Sequence, residues 1–432
     1  MNQREKRAFP LLPALAALVA VAALMIFVIV PGIKGGRSDT PAPTDGTPAE
    51  TQVHTVPKTE AITSEAVTTE PATTEAPTEP ATTEAPTEPV TTEPPPTEPP
   101  TEPLPEPTPT DVETGPGDIS TFAYQSGTVF ISEGWGFSAY YFGETNSTRY
   151  CEAVSSVARA VEGKATVYCL IAPLSTGVML TDEALDDLGF SDENAATAWM
   201  YEHMDPLVKT VPVYGALKQH NDENIYFHTD HHWSALGSWY AYREFCAQKG
   251  IRPHAPEDFE TYVYTDFLGS FDYYSDGNAE LENNPDTLVA YIPKGTNQMT
   301  MYIPEGSGYG EYQWPIVKDM SEGSRSSYYM GFVSGDRPWS YAHNETITDG
   351  SAVLVVKDSY GNAFVPWLID HYEHIYWIDY RSYADWCAWA GIPDSSISNF
   401  VERNDIQDVI LLNQIGSTGS GINLEDMEGI FK

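Results

Sequence analysis

A tract of Thr, Glu and Pro with almost no aromatic residues occupies positions 34–118 of the chain. The ten-residue unit Pro-Ala-Thr-Thr-Glu-Ala-Pro-Thr-Glu-Pro begins at Pro71 and recurs with variation. Such a tract cannot bury enough apolar surface to fold. Because proline favours the polyproline II conformation and like charges keep the chain extended, we predict a disordered linker. At about 3.1 Å per residue, its reach is roughly 250 Å.

The segment before this linker is apolar and uncharged from Phe9 to Ile33, which predicts a transmembrane helix. A helix needs about 20 residues to cross the hydrocarbon core, and this run is longer. Arg4, Lys6 and Arg7 precede it, so residues 1–8 are expected on the cytoplasmic side. A cleaved signal peptide is the alternative, but its apolar core normally has about 7–15 residues. We therefore expect an uncleaved anchor in the cell membrane, with the rest of the chain extracellular.

Residues 119–432 are rich in aromatic and apolar side chains and are numerous enough to build one large domain. The formal net charge of the chain is −40, and no stripe of Lys and Arg is present. This argues against nucleic acid as a partner, since phosphate binding needs basic patches. The four cysteines (Cys151, Cys169, Cys246 and Cys387) contain no CxxC pair, so thiolate zinc or thioredoxin-like chemistry is not indicated. Disulfides and buried thiols both fit their spacing.

Strand-like runs alternate with helical patterns through this region, which predicts an α/β fold with a mainly parallel sheet and helices on both faces. We expect strands at 165–172, 211–214, 225–228, 352–356, 375–378 and 409–412, and helices at 152–161, 195–208, 234–248 and 362–371. Residues 261–350 differ, because they are rich in Gly, Tyr, Ser and Asp with short alternating runs. They predict a β-rich insertion over the sheet, either a lid or substrate platform or a structural excursion.

Two clusters of residues could carry chemistry: His-Thr-Asp-His-His-Trp at 228–233 and Lys-Asp-Ser-Tyr-Gly at 357–361. The second forms a predicted strand-to-helix turn, where α/β sheets place their ligands and where backbone N–H groups lie beside an exposed serine. Ser359 is therefore a candidate nucleophile, and it needs a base and an orienting partner. Asp230 and His232 can supply both, because residues two apart on an extended loop face the same side.

The residues alone leave three interpretations of this loop open: a catalytic triad, a metal site or a purely structural cluster. A metal site would use His228, Asp230, His231 and His232, which are all suitable ligands. Four sequence neighbours rarely all face one ion, however, and no distant carboxylate or cysteine partner is evident. We therefore predict no metal site and no cofactor.

At these residues the chain resembles the DHHW protein family, whose name is the string Asp-His-His-Trp at 230–233. Further shared strings are Ala-Leu-Gly at 235–237, Phe-Leu-Gly-Ser at 267–270, Gly-Asp-Arg-Pro at 335–338 and Lys-Asp-Ser-Tyr-Gly-Asn-Ala at 357–363. The resemblance covers nearly all of 130–412 and excludes the anchor and the linker.

That family is in turn similar to the SGNH-like alginate O-acetyltransferase proteins, in which an Asp-x-His-Trp string precedes a Gly-Asp-Ser turn. The similarity implies a three-layer SGNH-hydrolase-like domain. It also implies that Ser359 is the nucleophile, His232 the base and Asp230 the orienting carboxylate. Lys357 departs from the glycine that is usual at its position, and His231 is given no catalytic role.

Three further residues are weaker candidates for oxyanion or substrate binding. Tyr360 offers a backbone N–H group beside the serine. Arg381 follows the predicted strand 375–378, with a structural salt bridge to Asp379 or Asp358 as the alternative. Asn413 follows the predicted strand 409–412 and offers its side-chain amide, with a capping role as the alternative.

The resemblance therefore implies a membrane-anchored, serine-dependent O-acyl (acetyl) transferase or esterase that acts on a cell-surface or secreted polysaccharide. By analogy, it also implies a membrane-bound O-acyltransferase as a partner. The alternative is a non-catalytic carbohydrate-binding or wall-associated module on the same scaffold. Replacing Ser359 with alanine distinguishes the two, because only the enzyme depends on that hydroxyl.

Overall fold

A computed structural model describes residues 117–120 and 123–432 of the chain. The predicted anchor (9–33) and the predicted linker up to residue 116 lie outside the described residues. Within the described part, no helix combines the length and the apolar content that a membrane-spanning helix requires.

Thirteen strands form three sheets in the described part of the chain. The strands are β1 (Tyr124–Ser126), β2 (Val129–Ser132), β3 (Trp135–Phe137), β4 (Thr166–Ala172), β5 (Val208–Thr210), β6 (Glu260–Phe267), β7 (Asp286–Ile292), β8 (Gln298–Glu305), β9 (Gly308–Pro315), β10 (Trp339–His343), β11 (Ala352–Lys357), β12 (His374–Asp379) and β13 (Asp408–Gln414).

The main sheet has eight strands in the order β5-β4-β13-β11-β12-β10-β8-β9. The strands from β5 to β12 in this order are parallel, and β10, β8 and β9 continue the sheet in antiparallel fashion. Strands β1 to β3 form a small antiparallel sheet, and β6 pairs with β7 in another. The predicted α/β class with a large, mainly parallel sheet is confirmed.

The helices connect these strands. They are α1 (Glu144–Ala160), α2 (Ser175–Met179), α3 (Asp182–Leu188), α4 (Glu193–Glu202), α5 (Tyr214–Gln219), α6 (Ala235–Lys249), α7 (Ser270–Tyr274), α8 (Ala279–Glu282), α9 (Gly361–Leu368), α10 (Tyr380–Trp389), α11 (Ile397–Arg403), α12 (Ile415–Gly419) and α13 (Gly421–Ile430). Short 3-10 helices occupy Pro256–Asp258, Arg325–Gly331 and Ile369–His371.

Helices cover both faces of the main sheet, as two neighbouring residues of β4 illustrate. The ring of Tyr168 packs edge-on against Phe245 of α6, with ring centroids 5.0 Å apart. The next side chain, Cys169, points to the other face, where its Sγ lies 3.5 Å from the hydroxyl of Tyr150 in α1. Because successive strand residues face opposite sides, α6 and α1 lie on opposite faces of the sheet.

The central strands are buried on both faces, which explains their sequence. Every residue of β11 is buried, and its run of Ala, Val and Leu lacks the alternation of a half-exposed strand. Continuous apolar runs of this kind are typical of parallel strands between helix layers. The polar residues that follow β11, β12 and β13 therefore come together at the carboxyl edge of the sheet.

The stretch 261–350 contains strands β7 to β10 and most of β6, as its alternating pattern suggests. Strands β8, β9 and β10 extend the main sheet at its antiparallel edge, so this part does not lie over the sheet as expected. The β6–β7 pair instead covers a helix layer, since Tyr291 of β7 packs on Trp367 of α9 with ring centroids 4.9 Å apart. The apolar alternation predicted strands but not their pairing partners.

Two short predicted strands are wrong. Residues 211–214 leave the sheet after β5, and Tyr214 begins α5, because Pro212 lacks the N–H group that would continue the ladder. Residues 225–227 are buried, but the stretch 225–228 is irregular, with a single bridge between Tyr226 and Trp233. The apolar run there reflects burial, and the chain turns back at 228–232 instead of pairing with a strand.

The other predicted elements lie close to their expected positions. The helix predicted at 195–208 is α4, which starts earlier because Asp192 accepts a hydrogen bond from the backbone N–H of Ala195 at 3.0 Å. It ends at Glu202, because Pro206 disfavours helical geometry in the residue before it. All four cysteines are buried free thiols, so the disulfide alternative does not apply to this structure.

Candidate active site

Ser359 lies in a sharp turn between β11 and α9 that is fixed by the carboxylate of Asp358. This carboxylate accepts hydrogen bonds from the backbone N–H groups of Tyr360 (3.1 Å) and Gln414 (2.8 Å) and from the hydroxyl of Ser417 (2.9 Å). Burial raises the pKa of Asp358, while the charge of Arg381 and these hydrogen bonds oppose the increase. Asp358 therefore ties the turn to the end of β13 and is not available to orient a histidine.

His232 connects the serine to a second carboxylate. Its Nε2 atom lies 2.8 Å from the Oγ atom of Ser359, and its Nδ1 atom lies 2.6 Å from Oδ1 of Asp230. The imidazole also stacks on the ring of Tyr329, with centroids 3.9 Å apart and an interplanar angle of 10°. Stacking and two hydrogen bonds together leave the ring one orientation.

The carboxylate of Asp230 is fixed by hydrogen bonds to both of its oxygen atoms. Its Oδ1 also accepts from the backbone N–H of His232 at 3.0 Å, and its Oδ2 accepts from the backbone N–H of Ser270 at 2.7 Å. Burial alone would raise the pKa of Asp230, but the charges of His232 and His231 and these hydrogen bonds hold it well below its usual range. The carboxylate is thus ionised and suited to stabilise a positively charged His232.

Gly269 makes room for this carboxylate. A Cβ atom at this position would lie 2.2 Å from the Cβ atom of Asp230, far inside van der Waals contact. Only glycine lets the chain before α7 approach closely enough for the Ser270 N–H group to reach Oδ2. This gives a physical reason for the glycine in the string at 267–270.

Asp286 of β7 holds the loop that carries Asp230 and His232 through hydrogen bonds to the backbone of that loop. This carboxylate accepts from the backbone N–H groups of His228 (2.9 Å) and Thr229 (2.8 Å). His228 also places its Nδ1 atom 2.7 Å from Asp286 Oδ1. His228 therefore contacts Asp286 and helps to fix the conformation of the loop.

His231 contacts Ser270, with its Nδ1 atom 2.6 Å from the Oγ atom of Ser270. Burial and the charge of His232 lower the pKa of His231 to about 4, so it is neutral near pH 7. One ligand atom from each of Asp230, His231 and His232 lies within 4.8 Å of the others, so this trio is also able to hold a metal ion. Both ring nitrogens of His232, however, are already engaged in the chain to Ser359.

The weaker candidates are placed as follows. The backbone N–H of Tyr360 donates to Asp358 and is engaged within the turn. Arg381 forms the salt bridge named as its alternative, with Nε 2.8 Å from Asp379 Oδ1. Asn413 is fully buried, and its amide oxygen accepts from the hydroxyl of Tyr150 at 3.0 Å. The partners in these three contacts are Asp358, Asp379 and Tyr150, and none of them is Ser359.

A charged cluster beside the turn was not assigned from the sequence. Oδ2 of Asp336 forms an ion pair with Nη2 of Arg381 at 2.8 Å. Its Oδ1 accepts a hydrogen bond from Nδ2 of Asn362 at 3.1 Å and lies 3.7 Å from Nζ of Lys357. Burial raises the pKa of Asp336, but the charges of Arg381 and Lys357 outweigh it and hold the pKa well below its usual range. The sequence signal for this cluster is the string Gly-Asp-Arg-Pro at 335–338, which contains Asp336 but does not indicate its partners.

Lys357 explains the glycine that follows the turn. Its side chain is fully buried, and a Cβ atom on Gly361 would lie 2.5 Å from the Cδ atom of Lys357. The lysine stem thus fills the space below the first turn of α9. The departure from glycine at 357 is accommodated by an added ion pair and leaves Ser359 in contact with His232.

Comparisons with known proteins bear on the family and the fold of this chain. The DHHW protein family matches residues 108–378, and no curated protein is detectably similar. A DHHW family protein from Eubacterium siraeum is 25% identical with a TM-score of 0.61, covering 71% of this chain and 97% of its own. Bacillus cereus PatB1, solved with a sulfonyl adduct, is 18% identical with a TM-score of 0.55, covering 69% and 96%.

A more distant structure is the O-acetyltransferase domain of Pseudomonas putida AlgJ, which is 11% identical with a TM-score of 0.37, covering 71% of this chain and 98% of its own. A score this low supports no inference. The family match, in contrast, spans more than half of the chain and includes both the loop at 228–232 and Ser359. The chain belongs to the DHHW protein family.

Proposed function

We propose that this protein is a serine-dependent O-acyl transferase with an SGNH-like domain, in which Ser359 is the nucleophile, His232 the general base and Asp230 its orienting carboxylate. The observation that carries the proposal is the continuous hydrogen-bonded chain through these residues, with distances of 2.8 and 2.6 Å. Such a chain removes the serine proton as the hydroxyl attacks, which is the requirement for nucleophilic catalysis by serine near neutral pH.

In the first step the Oγ atom of Ser359 attacks the carbonyl carbon of an acyl donor, and its proton moves to Nε2 of His232. The carbonyl re-forms, the bond to the donor oxygen breaks, and His232 returns the proton to that oxygen. The products are the donor alcohol and an acyl ester on Ser359. Asp230 stabilises the imidazolium throughout, as its low pKa allows.

In the second step the same groups act in reverse. His232 accepts the proton of an acceptor hydroxyl, whose oxygen attacks the ester carbonyl and displaces Ser359, which regains its proton from the imidazolium. A sugar hydroxyl as acceptor makes the protein a transferase, and water makes it an esterase. No external reductant or oxidant is needed, because both steps only exchange an acyl group and protons.

We propose an acetyl group as the acyl group and a cell-surface or secreted polysaccharide as the acceptor. This follows from the family resemblance together with the predicted anchor at 9–33 and the predicted linker at 34–118. The anchor would keep the domain near a membrane-bound O-acyltransferase that supplies the acyl group, and the linker would set its reach toward the polymer.

The sulfonyl adduct on the Bacillus cereus PatB1 structure suggests a direct probe of the proposed nucleophile. An activated serine attacks phenylmethylsulfonyl fluoride and displaces fluoride, which leaves a stable sulfonyl ester. We expect mass spectrometry of the full-length protein to find this ester on Ser359. The Ser359→Ala variant should remain unlabelled, whereas Ser326→Ala, at an exposed serine, should be labelled like the wild type.

Transfer itself is tested with p-nitrophenyl acetate as donor and soluble oligosaccharides as acceptors. We expect acetylated oligosaccharide from the wild type and none from Ser359→Ala, with both proteins showing the same circular dichroism spectrum. If Ser359→Ala transfers acetyl groups at the wild-type rate, the triad assignment is wrong. Binding of oligosaccharide without labelling or transfer would instead favour the non-catalytic module.

A further inference from the structure

A second cluster of potential metal ligands lies on the main sheet, outside the candidate active site. His343 is the last residue of β10, and His374 is the first residue of β12. The two are direct partners in the antiparallel ladder, so their side chains lie side by side on one face. Glu373 precedes His374, and one ligand atom from each of the three residues lies within 4.8 Å of the others.

This cluster is separated from Ser359 by the length of the central strands. In the parallel pair of β11 and β12, Ala352 is opposite His374 and Lys357 is opposite Asp379. Ser359 follows Lys357, so the histidine lies at the amino end of the strands and the serine at the carboxyl end. At about 3.3 Å per residue, the two ends are roughly 16 Å apart. The cluster therefore takes no part in the hydrogen-bonded chain of His232.

The donor atoms are already close to the geometry that a metal needs. The two imidazole rings are stacked with centroids 4.9 Å apart and an interplanar angle of 16°. Nε2 of His343 lies 3.7 Å and Nε2 of His374 lies 3.6 Å from the same oxygen, Oε1 of Glu373. In a tetrahedral zinc site with bonds of about 2.0–2.1 Å, neighbouring donors are about 3.4 Å apart. The two distances to the carboxylate oxygen exceed this spacing by a few tenths of an ångström, and the two Nε2 atoms lie within 4.8 Å of each other. Metal binding would draw the two rings together around the ion.

Neighbouring groups hold two of the three ligands in place. The hydroxyl of Tyr341 lies 2.8 Å from Nδ1 of His374, and in the tautomer where Nδ1–H donates to this hydroxyl the Nε2 lone pair is free for a metal. The backbone N–H of Gly350 donates to Oε2 of Glu373 at 2.7 Å, which leaves Oε1 directed at the histidines. Supporting hydrogen bonds of this kind are typical of metal ligands.

We propose that His343, Glu373 and His374 bind a zinc ion through two Nε2 atoms and one carboxylate oxygen. Imidazole with carboxylate is a donor set that zinc accepts, whereas calcium and magnesium require oxygen ligands. The side chains of the three residues are 40%, 18% and 31% exposed, so solvent reaches the ion and water takes the remaining position. The site crosslinks β10 to β12, where the antiparallel part of the sheet joins the parallel part.

The test is a zinc titration of the full-length protein after treatment with EDTA, followed by calorimetry and by the visible spectrum of Co²⁺ as a substitute. We expect wild-type protein to bind one ion at this site and His343→Ala and Glu373→Gln to lose it. Tyr341→Phe keeps the ligands but removes the supporting hydroxyl, so its affinity should fall by about 10- to 100-fold. His203→Ala, at an exposed histidine elsewhere, should bind like the wild type.

The competing trio of Asp230, His231 and His232 provides the decisive comparison. Loss of the ion in His232→Ala together with full binding in His343→Ala would overturn the proposal. His343 is exposed, so its replacement should leave the circular dichroism spectrum unchanged, and Glu373→Gln provides a second variant of nearly identical shape. Sulfonyl labelling of Ser359 should be the same before and after EDTA, which separates this inference from the proposed function.

Discussion

The Nε2 atom of His232 lies 2.8 Å from the Oγ atom of Ser359, although 127 positions separate the two residues in sequence. Their neighbours are bonded as well: Trp233 Nε1 donates to the carbonyl of Tyr360 at 2.9 Å, and the hydroxyl of Tyr360 donates to the carbonyl of His231. Three hydrogen bonds thus join the string at 230–233 to the string at 357–363, so a substitution in one string should also disturb the other. The buried tryptophan of the family string is explained by this role.

We predict that Asp230→Asn lowers kcat of acyl transfer by about 10⁴-fold with little change in KM, because an amide cannot hold the same tautomer of His232 or stabilise its charge. Steady-state kinetics with p-nitrophenyl acetate measures both constants. Asp276→Asn is the matched control, since Asp276 is exposed and its backbone conformation (φ 62°) suits asparagine. Wild-type kcat in Asp230→Asn would remove Asp230 from the mechanism.

We predict that Gly269→Ala reduces both activity and stability, because the new methyl group would lie 2.2 Å from the Cβ atom of Asp230. Relief of this clash moves the carboxylate away from the Ser270 N–H group and tilts His232. Overpacking of this kind costs about 1–3 kcal/mol. Thermal unfolding and labelling of Ser359 measure the two effects.

The control for that change is Gly215→Ala in α5, where an added Cβ atom meets no atom within 4 Å. Alanine is a better helix former than glycine, so this variant should be neutral or more stable by up to about 1 kcal/mol. Equal behaviour of the two alanine variants would contradict the steric argument.

Much of the site was predictable because its information is local. The turn at Ser359 follows from an apolar β-branched strand that ends in polar residues, and the spacing of Asp230 and His232 places both on one side of a loop. The carboxyl ends of parallel strands are a general ligand site. These inferences needed only the alternation of elements and the residue types, together with the family resemblance.

Other parts were not predictable because they depend on long-range packing. Tyr329 stacks on His232 from a 3-10 helix within a stretch whose sequence indicated only β structure. Asp336 and Lys357 form an ion pair, although the sequence around each residue gives no indication that the other is its partner. The failed strand at 225–228 has the same cause, since buried apolar residues predict burial but not a hydrogen-bonding neighbour.

We predict that Glu193 makes the protein less stable as the pH rises. Burial raises the pKa of this carboxyl to about 8 from an ordinary value of 4.5, against a hydrogen bond from the Leu174 N–H group at 2.7 Å. Between these values the folded state keeps a proton that the unfolded state releases. The free energy of unfolding therefore falls by up to about 1.4 kcal/mol for each pH unit in this window.

Urea unfolding of Glu193→Gln and wild type at pH 5 and pH 8 tests whether ionisation of Glu193 lowers the free energy of unfolding. The variant cannot ionise at this position, so its stability relative to the wild type should improve from pH 5 to pH 8. Glu202→Gln, at the exposed end of the same helix, serves as the control. An equal pH dependence in Glu193→Gln and wild type would mean that Glu193 is not protonated in the folded state.

We predict that Tyr329→Ala lowers kcat by about 100-fold, because the His232 ring loses the surface that fixes its plane and small misplacements of catalytic groups are costly. Tyr329→Phe retains the ring and loses the hydroxyl, which donates a hydrogen bond of 3.0 Å to the Ser359 carbonyl. Its cost should be about 0.5–1.5 kcal/mol in stability. Tyr328→Phe is the control, since Tyr328 stacks on Tyr264 instead. Equal kcat for Tyr329→Ala and wild type would exclude the orienting role.

We predict an asymmetry between the two members of the Lys357–Asp336 pair. The ammonium group of Lys357 is fully buried, and within the described residues it makes no hydrogen bond and lies 3.7 Å from Asp336. Lys357→Met removes a poorly solvated charge and keeps the stem that packs under Gly361, so its stability should equal or exceed that of the wild type.

Asp336→Asn has the opposite effect, because it leaves the buried ammonium group of Lys357 without its counter-charge and close to the cation Arg381. The side chain of Asp336 is 42% exposed, so solvent screens part of this effect, and the expected loss is about 1–3 kcal/mol. Urea unfolding of the two single variants and the double variant measures this. The double variant should recover most of the stability that Asp336→Asn loses, since Lys357→Met takes away the charge that Asp336 neutralises. A double variant no more stable than Asp336→Asn would show that Arg381 or Asn362, and not Lys357, depends on this carboxylate.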